Sequence, residues 1–175
     1  MNAVEVRVDV PDADAMRALG RRLAEVLRAG DLVLLTGPLG AGKTTLASGI
    51  GAGLDVEGRV TSPTFVLARE HPPRGDGPTL VHVDAYRLDG RLELETLDLE
   101  SALDASVTLV EWGTGLVEDL VTDRLEVLLA RPEGDDAGAA TDLADPGDEP
   151  REVVLRGVGD RWAAVDLAAV ARGGA

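Results

Sequence analysis

An α/β domain with a mostly parallel central sheet flanked by helices, closed by a C-terminal antiparallel hairpin, is the fold class this 175-residue sequence predicts. Three observations predict it. The continuous apolar run at residues 32–35 has the pattern of a strand covered on both faces, and a glycine-rich turn and a helical stretch follow it directly. Two further apolar runs, residues 79–84 and 107–111, each end in a carboxylate. Near the C-terminus, two partly alternating stretches flank an acidic segment, as the arms of a hairpin flank its tip.

Taken in order, residues 4–10 alternate strictly between valine and polar residues, as a half-buried strand does, and Pro11 ends them. The period changes over residues 14–28, where Met16, Leu19, Leu23, Val26 and Leu27 share one helical face and Gly30 supplies a stop. Asp31 leads into the strand at 32–35, and a helix runs from near Gly42 to about Ala52. Residues 64–68, 79–84 and 107–111 read as strands, and 92–103, of mixed period, as a helix. Residues 124–130 and 152–156 pair as the hairpin, and 162–172 close the chain as a helix. Neither a repeat nor a domain boundary interrupts the sequence, so a single domain over residues 1–175 is expected.

Composition narrows the function classes. A hydrophobic content of 45% over this length supports one well-buried core. Without cysteine there is neither a disulfide nor a thiolate metal site. The formal charge of −15 repels nucleic acid phosphates, so direct RNA or DNA binding is not expected. Part of that excess is local: residues 131–150 hold seven acids and one arginine, and their Gly, Ala and Pro content leaves little to bury. This segment reads as a disordered, solvated insert, with an interaction segment as the alternative. The N-terminus mixes charges where a signal peptide needs an apolar core, and no run approaches the ~18 apolar residues of a membrane span. A cytoplasmic protein without a membrane partner is expected.

The chemistry centres on Gly37-Pro38-Leu39-Gly40-Ala41-Gly42-Lys43-Thr44, which fits G-x-x-x-x-G-K-[ST] in its strand-to-helix context and makes the fold P-loop NTPase-like. Small residues let successive amides curl round phosphate oxygens at a helix N-terminus. Pro38, Leu39, Gly40, Ala41, Gly42, Lys43, Thr44 and Thr45 are therefore the nucleotide-binding candidates, with Lys43 on the β and γ phosphates and the Thr44 hydroxyl on Mg²⁺. Lys43 is the only lysine beside sixteen arginines, a compact point charge where a phosphate site needs one. Asp84 and Glu111 end their strands where a parallel sheet gathers its ligand crevice, which makes both candidates to face the metal. Ser62-Pro63-Thr64 fits either a phosphate-sensing segment or a simple turn.

Four stretches together carry a more specific resemblance: Gly-Ala-Gly-Lys-Thr-Thr ending at Thr45, Val60-Thr61-Ser62-Pro63-Thr64-Phe65, His82-Val83-Asp84-Ala85-Tyr86-Arg87-Leu88, and Val110-Glu111-Trp112. In content, order and spacing they resemble the TsaE family, small bacterial ATPases needed for threonylcarbamoyladenosine (t6A) synthesis at position 37 of tRNA. The resemblance covers residues 4–130. It implies an ATP- and Mg²⁺-dependent hydrolase that binds the TsaB and TsaD proteins and resets that threonylcarbamoyl-transfer pair between turnovers. It also implies Lys43 as the phosphate lysine, Thr44 and Glu111 as Mg²⁺ ligands, and Asp84 as the Walker B type acid, so that Lys43, Asp84 and Glu111 form the catalytic set. Trp112 resembles a family tryptophan beside the site, and core packing accounts for it equally. Two positions depart from the family pattern: Pro38 stands where Asp is usual, and Ala85 replaces a bulky apolar residue.

Other functions remain open on the sequence. Asp84 with Tyr86 and Arg87 suits a small-molecule kinase, although no arginine-rich lid is visible. Arg87 fits an arginine finger, a partner contact or an ion pair. A GTPase lacks its Asn-Lys-x-Asp motif here. A nucleotide-gated binding protein with vestigial hydrolysis is the third reading.

Overall fold

Alternate valines of β1 (Ala3–Val10) turn toward the core and end at the buried Val10. Asp12 then starts α1 (Ala13–Ala24) by accepting the Ala15 amide at 2.8 Å. The chain continues through β2 (Leu32–Thr36), α2 (Lys43–Gly53), β3 (Ala68–His71), β4 (Thr79–Asp84), a 3-10 turn at Ala85–Arg87, β5 (Ser106–Glu111), β6 (Arg124–Ala130), β7 (Arg151–Val158), α3 (Asp160–Ala163) and α4 (Leu167–Arg172). The computed structural model describes residues 3–62, 68–87, 103–118, 121–131 and 149–173. Beyond Ala68 itself, the strand expected at 64–68 lies outside them; so do residues 92–102 of the expected helix and 132–148 of the acidic insert.

Among the described residues, seven strands form one sheet in the order β1-β7-β6-β2-β5-β4-β3. The expected mostly parallel sheet is a mixed one. The pairings β6·β2, β2·β5 and β5·β4 are parallel, whereas β1·β7, β7·β6 and β4·β3 are antiparallel. Connection length explains the β3·β4 edge, because a parallel return needs a crossover of a dozen or more residues and β3 reaches β4 through a shorter loop. The centre keeps the geometry that matters for a ligand, because four parallel strands end together with β2 between β5 and β6.

Strand β2 is covered on both faces, as its apolar run requires. Val33 and Leu35 pack with α1, α2 and the C-terminal helices, while Leu32 and Leu34 join Val81, Val83, Val110 and Val117 on the other side. The four apolar side chains of β2, Leu32, Val33, Leu34 and Leu35, are at most 3% exposed, which stabilises the fold by roughly 1.5–3 kcal/mol each. No helix among the described residues is long and apolar enough to cross a membrane.

Two helices depart from their expected bounds. The first stops at Ala24 although the apolar period runs on to Leu27. A longer helix would bond the Arg28 amide to Ala24 O; instead Arg28 donates to Asp31 Oδ2 at 2.9 Å, while Arg161 donates to Val26 O at 2.6 Å and Gly30 to Ser106 O at 2.9 Å. Arg161 also grips buried Asp31 through two bonds of 3.2 and 2.9 Å, tying the C-terminal region to the start of β2. The single helix expected at 162–172 is broken into α3 and α4, because Asp166 caps the second piece through the Ala169 amide.

Helices α1 and α2 approach backbone to backbone. A Cβ added to Gly20 would sit 2.5 Å from the Leu46 carbonyl, and one on Gly49 would strike the Arg17 carbonyl. Alanine gains about 1 kcal/mol over glycine in helix propensity, less than the cost of parting two backbones. Gly49→Ala is expected to destabilise the protein by a net ~1–3 kcal/mol, read as a lower melting temperature.

Candidate functional site

The loop between β2 and α2 is shaped by its glycines. Gly42 holds φ at +101° and caps α2 without a side-chain hydrogen bond. An ordinary residue is strained in that left-handed region, and without a capping side chain the first-turn amides keep their capacity for an external acceptor. Lys43 follows immediately. Its Nζ donates to the carbonyls of Gly37 at 2.8 Å and Pro38 at 2.9 Å, and lies 4.2 Å from the centre of the Trp112 ring. The side chain is 5% exposed. Burial lowers its pKa below the ordinary 10.5, against the opposing pull of the Glu111 and Asp84 carboxylates.

Both strand-end carboxylates arrive where sequence reasoning put them. Asp84 and Glu111 are direct partners in the parallel β4·β5 ladder, and Glu111 also pairs with Leu35 at the end of β2. Asp84 Oδ1 accepts the Tyr86 amide at 3.0 Å, and Glu111 Oε1 bonds His82 Nε2 at 2.8 Å. The Tyr86 and Trp112 rings stand 5.5 Å apart at 60°, and Trp112 takes φ +61°, a strained value for so bulky a residue. Thr36 and Thr114 hydroxyls, 3.1 Å apart, tether the end of β2 to the loop after β5.

Lys43, Asp84, Tyr86, Glu111 and Trp112 share one cavity of about 680 Å³. Of the sequence candidates, Leu39, Gly40, Ala41, Gly42, Lys43, Thr44, Thr45, Ser62, Asp84 and Glu111 line it. Pro38 does not; it contributes its carbonyl to Lys43. Leu39, 88% exposed, stands in the loop between them. Thr64 and the Arg87 side chain lie outside the described residues. Sequence reasoning missed Asp12, Ala13, Met16, Glu149 and Arg151, which complete the lining. Buried Arg151 donates to Pro150 O at 3.0 Å and Glu149 Oε2 at 3.1 Å, with a longer 3.4 Å approach to Gly40 O. Its place beside the loop depends on the order of the strands, which no local pattern reveals.

The donor set suits a hard divalent cation. Among the described residues no three His, Cys, Asp or Glu side chains cluster for a metal, but the Thr44 hydroxyl and the Asp84 and Glu111 carboxylates are oxygen donors on one cavity. Mg²⁺ is held in this manner, by one or two carboxylates with phosphate and water completing the shell.

Comparison with known proteins agrees with this architecture. Residues 10–137 match the family model described as threonylcarbamoyl adenosine biosynthesis protein TsaE. The chain is 58% identical over 157 residues to the tRNA threonylcarbamoyladenosine biosynthesis protein TsaE of Streptomyces coelicolor, covering 89% of this chain and 99% of that one. It is 34% identical to the Bacillus subtilis protein of the same name, with 83% and 82% covered. Among solved structures it is similar to the crystal structure of Bacillus subtilis YdiB, with a TM-score of 0.71, 28% identity, and coverage of 98% and 97%.

Proposed function

This chain belongs to the TsaE family, and on that premise we propose that it is a Mg²⁺-dependent ATPase serving t6A biosynthesis on tRNA. One observation carries the reading: Lys43, Thr44, Asp84 and Glu111, drawn from three separate elements, line a single cavity at the ends of parallel strands. The amides of residues 39–45 and the N-terminus of α2 hold the phosphates. Lys43, which in this structure bonds two loop carbonyls, exchanges them for β and γ phosphate oxygens. Thr44 and Glu111 would hold Mg²⁺, which would neutralise charge developing on the phosphates. Asp84 faces the attacking water as the second acid. The water oxygen bonds to the γ phosphorus, the bond to the bridging oxygen breaks with its electrons leaving on ADP, and the water proton passes to the phosphate or to solvent. Asp12, Ala13, Met16 and Arg151 are left to receive the base and sugar.

The partners are TsaB and TsaD, whose complex is reset by hydrolysis; the net charge of −15 suits a protein partner better than direct contact with tRNA. ATP turnover by the purified chain is expected to be slow and to rise when TsaB and TsaD are added, with modified tRNA appearing only when all are present. ADP release that demanded a metabolite acceptor and ignored TsaB and TsaD would replace this reading with a kinase. Intrinsic fluorescence offers a direct binding assay. Trp112 stands over the Lys43 ammonium while Trp162 is fully buried in the core. Mg²⁺-ATP should therefore change the emission of wild type and of Trp162→Phe, and leave Trp112→Phe unchanged.

A further inference from the structure

His82 is fully buried on β4, two residues before Asp84 and hence on the same face of the strand. Its Nε2 bonds Glu111 Oε1 at 2.8 Å, whereas its Nδ1 has no hydrogen-bond partner. An unpaired buried nitrogen destabilises the fold, and an aliphatic side chain like its neighbours Val81 and Val83 would avoid it. What the imidazole alone supplies is a donor to one oxygen of a carboxylate that lines the cavity. We infer that His82 is a positioning residue for divalent-cation binding: its bond to Oε1 fixes the plane of the Glu111 carboxylate and leaves the other oxygen directed to the metal beside Thr44. The inference rests on the Mg²⁺-nucleotide reading of the site. It assigns a task to a side chain whose burial in an apolar strand otherwise has only a structural explanation.

Amide side chains separate the two explanations. Glutamine extends its amide about as far as Nε2, and asparagine reaches only the Nδ1 position. Calorimetric titration of ADP, with and without Mg²⁺, is made on wild type, His82→Gln, His82→Asn and His82→Leu, with a melting temperature for each. His82→Gln should keep the Mg²⁺-dependent gain in ADP affinity. His82→Asn and His82→Leu should lose about 10–100-fold of it while metal-free ADP affinity stays at the wild-type level. In a Glu111→Gln background the difference between the His82 variants should vanish. Equal behaviour of the Gln and Asn variants, or equal loss with and without metal, would overturn the inference, and that pair decides the question even if His82→Leu does not fold. A wild-type protein whose ADP affinity ignores Mg²⁺ would instead overturn the reading of the site itself, and this inference with it.

Discussion

Lys43→Ala is expected to lower ATP turnover by at least 10²–10³-fold, the scale on which a preorganised donor to transition-state charge acts. It should also weaken Mg²⁺-ATP binding measured by calorimetry. The side chain is confined by the two carbonyls it bonds and by the indole of Trp112. A planar guanidinium does not fit that space as a point charge, so Lys43→Arg should fail as well. Stability separates this loss from misfolding. Because burial lowers the Lys43 pKa, the unfolded chain binds that proton more tightly than the folded chain does. Folding is therefore penalised at neutral pH, and the penalty is relieved as pH rises through the lowered value toward 10.5. Lys43→Ala removes this pH dependence, and its melting temperature at pH 7 should stay near that of wild type. Wild-type turnover in Lys43→Ala would remove the phosphate site from the loop.

How much of this site could be read from the sequence follows the range of the forces involved. The loop and its lysine are local, since a glycine cap and an adjacent helix N-terminus need only neighbouring residues, and all of them lie where the pattern put them. Asp84 and Glu111 were legible because carboxyl ends of parallel strands converge, a rule that needs only the strands themselves. The end of α1 was not legible. The Arg28 amide goes to Asp31 Oδ2 rather than to a helical acceptor, and Asp31 is held by Arg161, 130 residues away. The place of Arg151 beside the loop and the His82–Glu111 bond were hidden for the same reason, as the first depends on β6 standing next to β2 and the second on β4 standing next to β5. The antiparallel β3·β4 edge likewise comes from the short connection between those strands rather than from the apolar runs that marked them.

Glu111→Ala is expected to remove turnover, with a fall of about 10²-fold or more, while metal-free ATP binding remains largely intact and the Mg²⁺-dependent gain in affinity is lost. The difference from Lys43 lies in what each touches. On the proposed reading the loop amides and Lys43 would hold the phosphates in every step, so losing the lysine weakens binding and chemistry together. Glu111 would hold the cation that neutralises charge as the phosphoryl group departs, so its loss removes the metal's share of binding and chemistry and leaves the loop's hold on the phosphates. The alanine variant carries a structural cost too, because His82, already unpaired at Nδ1, would lose its remaining partner at about 1–3 kcal/mol. Glu111→Gln keeps the volume and one acceptor oxygen for His82 while removing the charge, so it should melt closer to wild type and still be inactive. Single-turnover assays beside calorimetric ATP titrations read both quantities. Retention of wild-type turnover by Glu111→Ala would move the metal to Asp84 and Thr44 alone and leave the buried Glu111–His82 bond a structural one.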